Sequence, residues 1–141
     1  MSIWHSSDSI EDLKNRSKNT LVENLGIEYL EIGEDFIRAR MPVDDRTKQP
    51  YGILHGGASL AFAETLGSVA ARLSIDASKK RCVGLEINAN HVRSVSSGYV
   101  YGTVKPINAG NSIQVWEIRI TNEENKLVCI SRITMSILDL K

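Results

Sequence analysis

Only one long stretch of this sequence repeats its apolar residues with a helical period. From His55 to Ser74, "HGGASLAFAETLGSVAARLS", they fall at intervals of three and four. Beyond Ile27 almost everything else alternates with period two. "IEYLEI" and "FIRARM" flank "GED" at 33–35 as a hairpin, and the polar loop "PVDDRTKQPYG" (42–52) leads into the helix. After it come four strand-like segments: "CVGLEINANHVRS" (82–94), "GYVYGTVKP" (98–106), "SIQVWEIRIT" (112–121) and "LVCISRITMSIL" (127–138). Two strands, one long helix and four more strands predict an α+β domain with a largely antiparallel sheet.

Before the hairpin, "SIEDLKNRS" (9–17) has a Ser at the cap position and acids in the first turn, which predicts a short helix. "TLVENLG" (20–26) predicts another turn or two, stopped by Gly26. The chain therefore divides into an N-terminal helical segment, 1–22, and one domain, 23–141.

Charge narrows the function. Seventeen basic and seventeen acidic residues cancel, which favours neither nucleic acid nor an anionic membrane as partner. The N-terminus has no basic start followed by an apolar run, and no segment approaches the ~20 apolar residues of a membrane span, so a cytoplasmic location is expected. Cys82 and Cys129 lie outside any CxxC spacing and read as two buried thiols. No histidine has a partner at metal-ligand spacing, so no metal is expected.

The helix itself carries the chemistry. At ~100° per residue, Phe62, Leu66, Val69 and Leu73 form a stripe for packing on a sheet. The opposite face holds Gly57, Leu60, Ala61, Glu64, Gly67, Ser68 and Ala71, nearly all small. Glu64 is the only charged residue between Gly52 and Ala71. An acid among small residues, with Ser68 one turn away to hydrogen-bond it, suits a half-buried base or nucleophile better than a solvated surface. Small residues also let another backbone or a ligand approach closely. "HGG" opens the helix, where the first amides lack internal acceptors and suit an oxygen that is gaining negative charge.

"MPVDDRTKQPYGILHGGASLAFAETLGSVA" together with "VGLEINANHVRS" resembles the hotdog-fold acyl-CoA thioesterases. The likeness is to the branch whose catalytic acid is a Glu on the central helix. That branch includes the 1,4-dihydroxy-2-naphthoyl-CoA thioesterases of menaquinone biosynthesis and the enterobactin-pathway proofreading thioesterases. The resemblance runs from about Gly26 to Leu138. It implies a hotdog fold, an antiparallel sheet wrapped around one long central helix, with two protomers pairing their sheets in a homodimer or a dimer of dimers. It implies thioester hydrolysis at the subunit interface, without a cofactor beyond the coenzyme A of the substrate.

Position by position, the resemblance makes Glu64 the nucleophile or general base and the Gly56 N–H the carbonyl activator. It has Gln49 and His55 line the reacting centre, and Ser68 position the acid or the water. His91, Arg93 and Ser94 would meet the coenzyme A end, and "NAGNS", with Asn108, Gly110 and Asn111, would form a second wall. Leu60, Phe62, Val69, Tyr51 and Tyr99 are apolar candidates for the acyl pocket. Two other readings compete at this point: a hotdog hydratase or dehydratase, which pairs a His with an acid, and a non-catalytic acyl-CoA-binding module. The order and spacing in "GILHGG…AE" fit the thioesterase pattern better.

Overall fold

The sheet is built from six strands: β1 (Glu28–Ile32), β2 (Ile37–Pro42), β3 (Lys80–His91), β4 (Tyr99–Ala109), β5 (Ile113–Thr121) and β6 (Leu127–Asp139). The computed structural model describes every residue from Met1 to Lys141. All pairings are antiparallel, in the order β1-β2-β4-β5-β6-β3. The helices are α1 (Ile10–Arg16), α2 (Leu21–Asn24) and the long α3 (Gly56–Ser74).

Alternation along β6 shows why one face of the sheet takes α3: Cys129, Ser131, Ile133, Met135 and Ile137 all point into the core. Cys129, Ile133 and Met135 share one core cluster with Phe62, Leu66 and Leu73 of the helix and with Ile118 and Ile120 of β5. The sheet curls further round α3 than a narrow stripe allows. Gly67 and Ala71, expected on the opposite face, are buried. A Cβ on Gly67 would lie 2.5 Å from Ile133 Cγ2, so this glycine admits the chain's own sheet. The least covered face has Gly57 and Glu64 exposed, with Leu60, Ala61 and Ser68 half-buried beside them.

Two boundaries also differ from expectation. β3 ends at His91, leaving Arg93 and Ser94 in the following loop. β4 continues through a bulge between Pro106 and Asn108, so Asn108 is a strand residue paired with Val115.

The first 22 residues join the same core. A capping box between Ser9 and Asp12 starts α1, and α1 buries Leu13. Gly26, at φ 72°, ends the turn after α2 in the left-handed region that glycine favours. Trp4 stacks on Trp116 with ring centres 6.0 Å apart. The His5 and Ser6 amides both donate to Leu73 O, at 2.8 and 3.0 Å, satisfying a carbonyl at the end of α3. Cys82 and Cys129 are free, and burial pushes both thiol pKa values up.

Asp8 fastens this segment to α3. Its carboxylate accepts from Arg16 and, at 2.7 Å, from Arg72. The Arg16 guanidinium, and after it Arg72, hold the Asp8 carboxyl well below the usual carboxylate range. Such an acid stabilises the fold above its unfolded pKa of ~3.9 and loses that effect as pH falls through its folded value. Asp8→Asn is therefore expected to lower the Tm by about 2–5 °C at pH 7. The gap should narrow below pH ~4 and close once the wild-type carboxylate protonates. A gap of the same size in strong acid would show that the two arginine pairs contribute nothing.

Candidate active site

The loop before α3 is held as a short hydrogen-bonded ladder. His55 N–H donates to Thr47 O and Gln49 N–H to Ile53 O, both at 2.8 Å. Gly52 turns the ladder with φ 80°, a conformation in which any side chain is strained. The buried Thr47 hydroxyl donates to Pro42 O at 2.7 Å and anchors the ladder to the end of β2. Gln49 is half-buried at the tip of this loop, with its side-chain oxygen accepting from the Tyr51 amide. Its NH2 group makes no bond within the chain.

His55 caps the helix. Its Nδ1 accepts from Gly57 N–H at 2.7 Å, which leaves the proton of the neutral ring on Nε2. Ala58 and Ser59 N–H both return to His55 O, at 3.0 and 3.2 Å. Of the first-turn amides, only that of Gly56 is left without an acceptor, at the positive end of the helix dipole. A Cβ on Gly56 would sit 3.0 Å from His91 Nε2. A side chain at this position would crowd the imidazole that the end of β3 lays beside the Gly56 Cα.

Gly56, His91, Arg93 and Ser94 line one open cavity of about 420 Å³, with apolar Ile53 and Val128 also in its wall. Arg93 Nε donates to Leu127 O at 3.3 Å, which orients the guanidinium from the exposed loop. Ser59, absent from the sequence candidates, also lines this cavity although it is only 1% exposed. Its spacing of four from His55 was the available signal.

Glu64 lies elsewhere on the same helix. It is exposed in the single chain and not half-buried as expected. A Cβ on Gly84 would be 3.2 Å from its Oε2, so the carboxylate rests over β3. Drawn there, it makes no hydrogen bond to Ser68, which shares its face one turn further on. At ~1.5 Å per residue, Glu64 is about 12 Å beyond Gly56 along the helix.

The second expected wall does not form within one chain. Asn111 and Gly110 border a separate cavity of about 320 Å³ with Ser74, Asp76 and Lys79, at the far end of α3. Asn108 lies beside this turn on β4. Among the acyl-pocket candidates, Phe62 is fully buried in the core, Tyr51 is 91% exposed, and Tyr99 borders a cavity under α1 that shares no residue with the Gly56 site. No group of three metal-ligating side chains comes together, and no helix is long and apolar enough to cross a membrane.

Residues 51–129, from the loop before α3 to the start of β6, match the model of the thioesterase superfamily. The chain belongs to that superfamily. The thioesterase is 51% identical to a thioesterase of Haemophilus influenzae whose crystal structure superposes with a TM-score of 0.95, covering 98% of this chain and 96% of that one. It is 48% identical to the 1,4-dihydroxy-2-naphthoyl-CoA hydrolase of Escherichia coli K12, over 96% of this chain and 99% of the relative. It is 47% identical to the proofreading thioesterase EntH of Cronobacter turicensis, over 96% and 98%. The thioesterase has the hotdog fold, with α3 as the helix that the sheet enfolds. It is a hydrolase of thioesters.

Proposed function

We propose that this thioesterase hydrolyses acyl-CoA thioesters in sites shared by two copies of the chain, with an aromatic, hydroxylated acyl group such as 1,4-dihydroxy-2-naphthoyl. The observation that carries the reading is the separation on α3 of the free Gly56 N–H from Glu64, the helix's only acid. A thioester carbonyl held ~3 Å from the amide is out of reach of that carboxylate on the same helix. Two helices running antiparallel about a two-fold axis bring the start of one against the second turn of the other. The least covered face, at Gly57, Leu60, Ala61 and Glu64, supports such an approach.

In this site the Gly56 N–H stabilises the oxygen as the carbonyl carbon becomes tetrahedral. Glu64 of the partner subunit supplies the attack by one of two routes. Either its carboxylate adds to the carbonyl carbon and expels the thiolate, leaving an anhydride that water cleaves, or it takes a proton from a water that attacks. Both end in free acid and coenzyme A. His55, Gln49 and Ser68 orient carbonyl and water around the centre. His91, Arg93 and Ser94 hold the coenzyme A arm, with Arg93 on a phosphate. Asn108, Gly110 and Asn111 reach this site only from a second copy. The substrate class implies a cytoplasmic enzyme of menaquinone biosynthesis that needs no cofactor or metal.

The test is a panel of thioesters. Hydroxylated aryl-CoA thioesters should be cleaved with kcat/KM at least tenfold above alkyl-CoA thioesters of similar size. Equal rates would reject the acyl assignment, and no hydrolysis of any coenzyme A ester would reject the function. In the same panel Arg93→Ala should raise KM for coenzyme A thioesters by about tenfold or more, the effect of a lost charge-assisted hydrogen bond. Truncated pantetheine thioesters should be unaffected. Equal loss for both would make Arg93 a support for Leu127 and not a phosphate ligand.

A further inference from the structure

Of the polar side chains around the Gly56 cavity, only that of Ser59 is buried, and its hydroxyl makes no hydrogen bond within the chain. Ser59 is 1% exposed, one turn into α3, and shares the cavity wall with apolar Leu54 and Val128. Serines and threonines inside helices ordinarily return their hydroxyl to the carbonyl four residues back. Thr65 does so on this helix, donating to Ala61 O at 2.7 Å, and Ser17 does so after α1, donating to Leu13 O at 2.9 Å. The equivalent carbonyl for Ser59 is that of His55. It already accepts from the Ala58 and Ser59 amides, at 3.0 and 3.2 Å, which occupies both of its lone pairs.

The buried side-chain polar atoms sealed on every side without a partner are Arg40 Nε and Ser131 Oγ. What stays accessible of Ser59 is therefore its oxygen, and that oxygen opens on the cavity. Alanine would fill the same place with a better helix propensity and no unpaired hydroxyl. The hydroxyl is of use only if something in the cavity accepts from it.

We infer that the Ser59 hydroxyl donates a hydrogen bond to the sulfur of the thioester as the thiolate leaves. The place of the sulfur rests on the proposed function. With the carbonyl oxygen on the Gly56 N–H and the coenzyme A arm running to Arg93, the sulfur lies between them, in the cavity that Gly56, Ser59 and Arg93 all line. Gly56 and Ser59 are neighbours on the helix surface, three residues and about 4.5 Å of rise apart. Helical side chains lean towards the N-terminus, which carries the Ser59 hydroxyl back to the Gly56 end. The sulfur, one bond beyond the carbonyl carbon, is the first acceptor it meets on the leaving side.

When the tetrahedral carbon collapses, the C=O double bond re-forms and the C–S bond breaks, its electron pair going to sulfur. The thiolate accepts the hydrogen bond from Ser59 and then takes a proton from water. Ser59 keeps its own proton, because an alcohol is a much weaker acid than a thiol. In the proposed site Glu64 supplies the attack and Gly56 holds the oxyanion, so neither serves the departing sulfur.

Ser59→Ala, assayed on the benzoyl esters of coenzyme A, propanethiol and thiophenol, reads this contact. On the coenzyme A ester kcat should fall by about tenfold to a hundredfold, the loss of a hydrogen bond to a charged group, with KM within about twofold. The propanethiol ester should lose as much in kcat/KM, since the sulfur alone is contacted. The thiophenol ester should lose less than about threefold, because the ring spreads the charge of its thiolate. The Tm of Ser59→Ala should stay level or rise, which loss of a structural support would not produce. An equal loss on all three esters, a loss confined to the coenzyme A ester, a loss below about threefold on every ester, or a lowered Tm overturns the assignment. Hydrolysis of benzoyl-CoA by the wild type, and its loss in Glu64→Ala, test the proposed function separately.

Discussion

Glu64→Ala should lower kcat by about a thousandfold or more, the loss typical of removing a general base or nucleophile, about 4 kcal/mol of transition-state stabilisation. KM should change little, because in the proposed site the carboxylate would act at the reacting carbon and not on the coenzyme A arm. Stability should be unchanged to within about 0.5 kcal/mol, since Glu64 is exposed and forms no ion pair. Glu64→Gln, of the same size and without charge, should be as inactive. Turnover of Glu64→Ala within tenfold of wild type on the best substrate would remove Glu64 from the chemistry.

The second large effect is a recovery. Gln49→Ala and Glu64→Ala should each be nearly inactive as pure proteins. Gln49 belongs to the loop that delivers Gly56, so in the proposed shared site its side chain should serve the carbonyl end, and Glu64 should serve the site of the other subunit. A dimer with one copy of each variant then has one site carrying both substitutions and one carrying neither. Purified through two different tags, such heterodimers should regain about half of wild-type kcat, a rise of several hundredfold over either parent. Verified heterodimers as inactive as their parents would place Gly56, Gln49 and Glu64 in a site within one chain.

Much of the fold can be read along the chain because its strands are one-sided. Alternation in "LVCISRITMSIL" marks a strand with one buried face, and the change of period at His55 marks α3 to within a residue. The path of the sheet in space is less legible. That β3 lies beyond β6 at an edge depends on long-range pairing and has no local periodic signature. An angular projection sets Gly67 and Ala71 on the far face because it treats the sheet as a plane, whereas the sheet curls around the helix and buries more of the circumference. The site shows the same division. Gly56, His91, Arg93 and Ser94 do converge on one cavity. Asn108, Gly110 and Asn111 do not join them in the single chain, because β4 carries that turn to the other end of α3. Ser59 offers the sequence only its spacing of four from His55, a signal that gains meaning once the cavity beside Gly56 is known.

The stacked indoles near the N-terminus have an optical consequence. Trp4 and Trp116 are the only tryptophans in the sequence. Their rings are 8° from parallel, and the Trp4 Nε1–H is fixed to Gly33 O at 2.6 Å. Two chromophores so close and so aligned exchange excitation, and the folded enzyme absorbs and emits through a coupled pair. Light selected for tryptophan therefore reports whether the first residues are seated on β5. A tag or truncation that lifts Trp4 would alter the near-ultraviolet dichroism while the strands keep their far-ultraviolet band. Unseating of the N-terminus and melting of the core become separately visible without any added label.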